Sequence, residues 1–236
     1  GLTGIVLYQF SENTAISFTT ASNVSIIVSV CPMFTAIFSQ VILKEKHIGF
    51  FFVLGFAISI VGIALVSFNG RYVLKLNPRG DFLAMGAALC WGFYSLAVSK
   101  INSKNFNSIL ATRRTFFFAD LMMIPMMVMG AVMGTDGTYA SVSLDAQLNA
   151  ARFSNIFNWM NFLFLGVGAS ALCFVAWTKA CRMVGTVKTT LMIYLIPVVT
   201  VVFAWLCIGE KITSMGLAGC CVTIAGLFIS NIGRKK

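Results

Sequence analysis

The stretch IVSVCPMFTAIFSQVILKEK, residues 27–46, has a second copy in IYLIPVVTVVFAWLCIGEK, residues 193–211. Both copies carry a proline inside a long apolar run and a Glu-Lys pair whose glutamate follows that proline by thirteen residues. At a constant offset of 165 residues, the identical positions are Ala15 and Ala180, Pro32 and Pro197, Thr35 and Thr200, Phe38 and Phe203, Glu45 and Glu210, and Lys46 and Lys211. Six identities in one register indicate a duplication, and the length of the unit predicts two homologous half-molecules.

The composition assigns the chain to the membrane. Hydrophobic residues occupy 58% of the 236 positions, charged residues only 10%, and the mean hydropathy is +0.90. A water-soluble domain of this size has too little interior to hold so much apolar surface. The formal charge of +10 does not indicate nucleic acid, because the basic residues stand singly or in small groups between apolar runs. We therefore predict an all-α polytopic membrane protein whose surroundings are the lipid bilayer.

The apolar runs predict about eight transmembrane helices, at residues 1–18, 20–43, 48–68, 81–101, 108–134, 157–180, 186–208 and 213–232. We expect residues 1–79 to form the last three helices of a first repeat and residues 80–236 to form a second repeat of five helices. The second repeat opens near Asp81, and subtracting the offset of 165 places the equivalent position at −84, well before residue 1. The duplication therefore predicts a ten-helix bundle whose N-terminal helices precede this sequence.

The distribution of basic residues predicts the orientation. Because successive helices alternate in direction, twelve of the 17 Lys and Arg residues fall on one side of the membrane and five on the other. The richer side, which includes the C-terminal residues 234–236, is predicted to be cytoplasmic. This orientation places Lys46 inside and Lys211 outside, so the two repeats run through the membrane in opposite directions. Inverted repeats of this kind are typical of transporters that work by alternating access.

Three stretches carry a resemblance to a known family: TASNVSIIVSVCPMFTAIF at 20–38, GDFLAMGAALCWGFYSL at 80–96 and GTVKTTLMIYLIPVVTVVFAWLCIGEKIT at 185–213. They resemble EamA-type permeases of the drug/metabolite transporter superfamily, and the resemblance covers essentially the whole chain. It implies ten helices in two inverted five-helix repeats, residence in the plasma (inner) membrane, and export or exchange of small polar metabolites such as amino acids. The motifs specify the fold well and the substrate poorly.

Pro32 and Pro197 lie about eleven residues before the predicted ends of their helices, close to the middle of the bilayer. A proline inside a helix removes one backbone hydrogen bond and kinks the helix. In membranes such breaks persist where packed neighbours or a cavity satisfy the freed carbonyl. Two interpretations stay open, namely bends that line a substrate cavity and kinks that are purely structural.

Apart from Asp81 at the start of a span, Glu12 and Asp120 are the acidic residues within the predicted spans, where an ionisable group costs about 3 kcal/mol. Glu12 stands beside Asn13 in the first run, and its equivalent in the second repeat is Trp177. A polar group on one side of a symmetric frame indicates a role towards the substrate or a proton. The alternative is that Glu12 lies near the outer interface and meets water.

Aromatic and hydroxyl side chains complete the candidate site. Trp91 and Tyr94 are three residues apart and hence lie on one face of their helix, and Tyr194 lies one turn before Pro197. We expect the cavity between the helices that carry the two prolines. The candidate substrate-binding residues are Glu12, Asn13, Trp91, Tyr94, Thr190 and Tyr194.

The predicted function is secondary transport of small polar metabolites, by an exporter or exchanger, and not enzyme catalysis. An embedded enzyme needs a nucleophile with a base or a metal within the spans, and the sequence offers no such constellation. A single histidine and seven cysteines without a CxxC pair indicate neither a metal nor another cofactor. A non-transporting membrane scaffold or receptor is the main alternative. The expected partner is a small-molecule substrate, with no nucleic acid, and a homodimer is compatible with the sequence.

The orientation is testable by cysteine accessibility. In a background without native cysteines, Ser143→Cys should react with a membrane-impermeant maleimide from outside intact cells, and Gly233→Cys only after permeabilisation. Labelling of both positions from the same face would contradict the inverted arrangement.

Overall fold

The computed structural model describes residues 1–68, 77–104, 107–133, 153–203, 205–206 and 213–232. All secondary-structure elements assigned in these ranges are helices. After a π-helical stretch at Leu2–Leu7, the helices are α1 Tyr8–Phe18, α2 Ala21–Val28, α3 Cys31–Ile42, α4 Phe50–Phe68, α5 Pro78–Ser103, α6 Ser108–Met133, α7 Ile156–Leu163, α8 Cys173–Val184, α9 Thr186–Leu191, α10 Leu195–Phe203 and α11 Ser214–Asn231. A second π-helical stretch, Phe164–Leu172, joins α7 to α8, and the 3₁₀ turn Met192–Tyr194 joins α9 to α10.

Six helical stretches among the described residues are long and apolar enough to cross a membrane. They are Asn23–Ile42, Phe50–Phe68, Pro78–Ser103, Ile156–Val184, Thr186–Phe203 and Ser214–Asn231. Large apolar side chains such as Phe50, Phe82 and Phe157 are exposed on the bundle surface, as expected where lipid is the solvent. The predicted all-α membrane fold is confirmed.

The two proline-containing spans are interrupted at the same place. α2 ends at Val28 and α3 begins at Cys31 with Pro32 in its first turn. In the second copy, the 3₁₀ turn Met192–Tyr194 precedes α10, which has Pro197 in its first turn. A proline fits a first helical turn because the N–H groups there have no intrahelical acceptor. The prolines therefore begin the second half of a broken helix, whereas the sequence predicted a kink within a continuous one.

The contact between α4 and α11 shows a local two-fold relation. A Cβ atom added to Gly55 would overlap the backbone of Ser230, and one added to Gly62 would overlap Thr223. The reciprocal overlaps are those of Gly219 with Gly62 and Val66, and of Gly226 with Ser59 and Gly55. Facing residue numbers rise along one helix as they fall along the other, so the pair is antiparallel.

An offset of 164 residues relates the two sides of this contact. It pairs each residue of α4 with its equivalent in α11, in the order Gly55, Ser59, Gly62 and Val66 with Gly219, Thr223, Gly226 and Ser230. A contact set that maps onto itself when its two sides are swapped is the signature of a two-fold axis. The Ser59 hydroxyl lies at the centre of the pair and donates a hydrogen bond to the Thr223 carbonyl at 3.5 Å. This offset is one residue shorter than that of the prolines, so the repeats differ by one residue between those positions.

The helix α5 packs antiparallel along α1. Gly4 faces the ring of Tyr94, and Gly80 lies under Thr19 at the other end of the contact. Between them, Ala15 of α1 and Ala84, Ala87 and Ala88 of α5 are fully buried in one cluster. Small residues on both helices permit this close approach, which lipid alone does not drive.

Several predicted features lie outside the described residues. These are the second Glu-Lys pair, Glu210 and Lys211, most of the polar segment 135–155 and the C-terminal residues 233–236. The division into repeats at 79/80 and the superposition of the helices that lead to Lys46 and Lys211 stay predictions.

The tight packing of α4 against α11 predicts a large difference between two glycine substitutions. Gly226→Leu should lower stability in detergent by about 2 kcal/mol or more, because the partner backbone leaves no room for a side chain. Gly86→Leu is the matched control, since an added Cβ at Gly86 in α5 meets nothing within 4 Å. Size-exclusion chromatography after stepwise heating measures both, and equal loss of the monodisperse peak would contradict the packing.

Candidate functional site

Five aromatic side chains from three helical elements form one cluster at the centre of the structure. Trp91 of α5 lies in the middle, with ring centroids 5.0 Å from Tyr8, 5.4 Å from Tyr94 and 5.4 Å from Trp177. Phe174 closes the group at 6.3 Å from Trp91 and 6.2 Å from Tyr94. We call these residues the aromatic cluster. The tilted and edge-to-face ring geometries are those that aromatic pairs favour.

A carboxylate lies beside this cluster. Tyr8 and Glu12 are one turn apart on α1, and the Tyr8 hydroxyl donates a hydrogen bond to Glu12 Oε1 at 3.1 Å. Because Tyr8 lies beside Trp91 and Thr19 lies beside Gly80, Glu12 occupies a level between these two contacts.

The break between α2 and α3 lies close to the aromatic cluster, as the position of the buried Cys31 shows. Cys31 begins α3, directly after the break. Cys31 also belongs to a buried hydrophobic group against which Tyr8 and Trp91 pack. A charged group, an aromatic surface and an interrupted backbone therefore meet at one point.

Four buried polar atoms near the centre lack a hydrogen-bond partner. They are Trp91 Nε1, Ser95 Oγ, Trp177 Nε1 and the Tyr194 hydroxyl. A buried donor without an acceptor costs roughly 1–3 kcal/mol, so most native proteins avoid it. Both indole N–H groups can only donate, and they therefore require an acceptor from outside the described side chains.

The second helix break contributes Tyr194, which is fully buried at the end of the 3₁₀ turn. Its side chain packs with Ala36 of α3 in one hydrophobic group. Thr190 is also fully buried, but its hydroxyl donates to the carbonyl of Thr186 at 2.7 Å. Thr190 therefore has an internal partner, whereas Tyr194 does not.

A polar cavity of about 290 Å³ lies on the other side of the aromatic cluster. Its lining includes Glu45 and His47 of the loop between α3 and α4, and Asn102, Cys181 and Lys188. Cys181 also packs in a hydrophobic group with Tyr94 and Val98, so the cluster separates this cavity from Glu12. Along α5, Trp91 and the cavity residue Ser99 are about 12 Å apart at 1.5 Å per residue.

Two polar residues of the predicted spans lie outside this arrangement. Asn13 is exposed, and its amide donates to the carbonyl of Gln9 at 2.8 Å. Asp120 is exposed on α6. Sequence reasoning missed Tyr8, whose spacing of four residues from Glu12 was the available signal. It also gave no reason to single out Cys31.

The described residues contain no group of three or more His, Cys, Asp or Glu side chains that could hold a metal ion. What the centre offers instead is one carboxylate, aromatic faces and unpartnered donors. This donor set suits a small organic molecule better than a metal ion, which needs several oxygen, nitrogen or sulfur ligands.

A multi-pass helical bundle with broken helices around a polar centre defines the class of membrane transporters. The chain matches the EamA-like transporter family over residues 1–68 and 78–232, and it belongs to that family. It is thus a membrane transporter and not an enzyme, as predicted.

Curated relatives agree with this assignment. The chain is 26% identical over 237 residues to the uncharacterized transporter YdfC of Bacillus subtilis, covering all of this chain and 71% of the relative. It is 24% identical over 239 residues to a probable terminal-alkyne amino-acid exporter of Streptantibioticus cattleyicolor, covering all of this chain and 73% of that protein. A crystal structure with 15% sequence identity matches 98% of this chain and 74% of its own, with a TM-score of 0.73, and supports the fold.

At the mouth of the polar cavity, His47 Nε2 lies 2.7 Å from Glu45 Oε2. This hydrogen bond lowers the pKa of the exposed Glu45 carboxyl below its ordinary value, opposed by partial burial and assisted by a hydrogen bond from Ser39 at 2.8 Å. A depressed carboxylate pKa adds stability above the ordinary pKa of about 4.3, and this stability is lost as the pH falls through the folded-state pKa.

This electrostatic arrangement predicts a measurable titration. His47→Ala should move the pKa of Glu45 upward, towards its ordinary value, because the main stabilising hydrogen bond is removed. With only three glutamates in the chain, carboxyl ¹³C NMR of the detergent-solubilised protein resolves the effect, with Glu45→Gln to assign the signal. An unchanged Glu45 titration would show that the pair does not form in solution.

Proposed function

We propose that this transporter moves small polar metabolites, such as amino acids, by alternating access, as an exporter or exchanger. The membrane that we propose is the plasma (inner) membrane, with the C-terminus in the cytoplasm, because the basic residues lie mainly on that side of the predicted topology. The relative that is a probable amino-acid exporter supports the substrate class.

One observation carries the proposal, namely that unpartnered polar groups gather at the meeting point of two broken helices. A carboxylate inside a membrane span costs about 3 kcal/mol, and each buried donor without a partner adds to that cost. A purely structural bundle gains nothing from such groups. A transporter uses them to bind a polar solute that lipid excludes.

The arrangement of the centre also supports alternating access. The polar cavity opens towards the side that carries His47 and Lys188, and the aromatic cluster closes its inner end. Glu12 lies beyond that closure, on the side of α1 that leads to Thr19. Small movements of the half-helices against α5 would suffice to expose the centre to one side or the other.

The two-fold relation of α4 and α11 offers a frame for this movement. Related halves can exchange conformations at similar free energy, because each packs against the other through equivalent contacts. At their crossing, α4 and α11 meet through small residues and through the hydrogen bond from Ser59 to Thr223, rather than through bulky interlocking side chains.

The experiment compares two tryptophan substitutions in proteoliposomes. Trp91→Leu should reduce counterflow of radiolabelled amino acids by about tenfold or more, because Trp91 makes four ring contacts at the closure and each is worth about 1 kcal/mol. Trp159→Leu, at an exposed site on α7, removes the same side chain and should change the rate less than about twofold.

Both variants are first checked for a monodisperse elution profile. A well-folded unmodified protein that moves no amino acid or other small polar metabolite would favour the non-transporting scaffold or receptor. Equal rates for Trp91→Leu and Trp159→Leu would contradict the location of the site.

A further inference from the structure

Among the described residues, no cationic side chain is paired with the Glu12 carboxyl group. Its polar partner is the Tyr8 hydroxyl, a neutral group. The ion pair between His47 and Glu45 lies at the other side of the aromatic cluster. The neighbouring surface of α5 consists of Ala84, Ala87 and Ala88, which bring no charge.

The side chains around Glu12 suit a cation. Tyr8 and Trp91 present aromatic rings 5.0 Å apart, and Trp177 lies next to Trp91 at 5.4 Å. The faces of such rings carry negative electrostatic potential and attract ammonium groups, by about 2 kcal/mol where water is excluded. A carboxylate beside aromatic faces therefore accepts both the charge and the N–H groups of an ammonium ion.

A metal ion fits this place poorly. Glu12 offers two carboxylate oxygens, and no group of three or more His, Cys, Asp or Glu side chains that could hold a metal ion occurs in the part of the chain that the structure describes. Magnesium and calcium ions each take six or more oxygen ligands. An alkylammonium group needs only one anion and an apolar or aromatic surround.

The internal duplication, with its offset of 165 residues, predicts which end of a ligand faces α1. It relates Glu12 to Trp177, so one half of the frame supplies the carboxylate and the other an indole. The indole N–H groups of Trp91 and Trp177 are unpartnered donors and favour an acceptor atom elsewhere on the ligand. The cationic end of a ligand is thus directed to α1.

We propose that Glu12, Tyr8 and Trp91 bind the ammonium group of the substrate, so that the transported molecules are primary amines. The inference rests on the proposed transport function and adds its substrate class. It assigns specificity to Glu12 and cation contact to the rings of Tyr8 and Trp91.

The test uses three probes that share one carbon skeleton. Isopentylammonium carries the amine alone, 4-methylpentanoate the carboxylate alone, and isopentyl alcohol no charge. Binding is followed by intrinsic fluorescence in amine-free phosphate buffer. Trp159→Phe and Trp205→Phe remove the two exposed indoles from the purified full chain, which leaves Trp91 and Trp177 as reporters.

Isopentylammonium should give a saturable change, with an affinity at least about tenfold higher than that of the alcohol or of 4-methylpentanoate. Glu12→Gln should remove this preference while the weak response to the alcohol stays. Tyr8→Phe should reduce ammonium affinity by about threefold, because the ring remains and only the bond that orients Glu12 is lost.

Tighter binding of 4-methylpentanoate, no response to isopentylammonium, or an unaltered preference in folded Glu12→Gln would each overturn the proposal. If Glu12→Gln does not fold, the ranking of the three probes on the unmodified chain decides. Transport in proteoliposomes separates the two proposals. Movement of a carboxylate that lacks an amine would support the transport function and refute the ammonium site. Amine binding without movement would support the ammonium site and refute the transport function.

Discussion

Backbone hydrogen bonding in hydrocarbon is the constraint on which this structure depends. A polar backbone group without a partner costs several kcal/mol in lipid, so a helix can be interrupted only where protein surrounds the interruption. The breaks before Pro32 and Pro197 meet this condition, since Pro32 and Tyr194 are fully buried. Their burial in turn requires neighbouring helices to approach closely, and this requirement accounts for the alanine contacts of α1 with α5.

Hydroxyl side chains follow the same constraint. Ser29 donates to the Ser25 carbonyl at 2.6 Å, Thr35 to Cys31 at 3.0 Å and Thr190 to Thr186 at 2.7 Å. Each of these bonds lies within a turn or two of a break. They satisfy the hydroxyl groups within the same helix, one turn back, so these residues are polar by composition yet offer little to a ligand. Buried polarity alone therefore does not mark the site, whereas unsatisfied buried polarity does.

The sequence predicted the helical membrane fold well because hydropathy acts on whole segments. The helical class followed from apolar runs of about twenty residues, which small errors in one position do not alter, and the family followed from the resemblance of three stretches. The exact site depends on helix phase. Asn13 is adjacent to Glu12 in the chain, yet about 100° of rotation places it on the exposed side of α1. Tyr8, four residues earlier, returns to the face of Glu12. The position of Pro32 in the first turn of α3 likewise could not be predicted, because a continuous apolar run does not show where its backbone breaks.

The unpartnered groups at the centre connect stability with selectivity. Trp91, Trp177 and Tyr194 leave donors buried without acceptors, which reduces the stability of this conformation. A ligand that supplies an acceptor recovers that free energy on binding, whereas one of the same shape without an acceptor does not. Sites built to hydrogen-bond a substrate discriminate far more strongly than purely apolar pockets, since the wrong ligand leaves the buried groups unsatisfied. The same frame, with apolar residues at these positions, would be a more stable bundle and a less selective one.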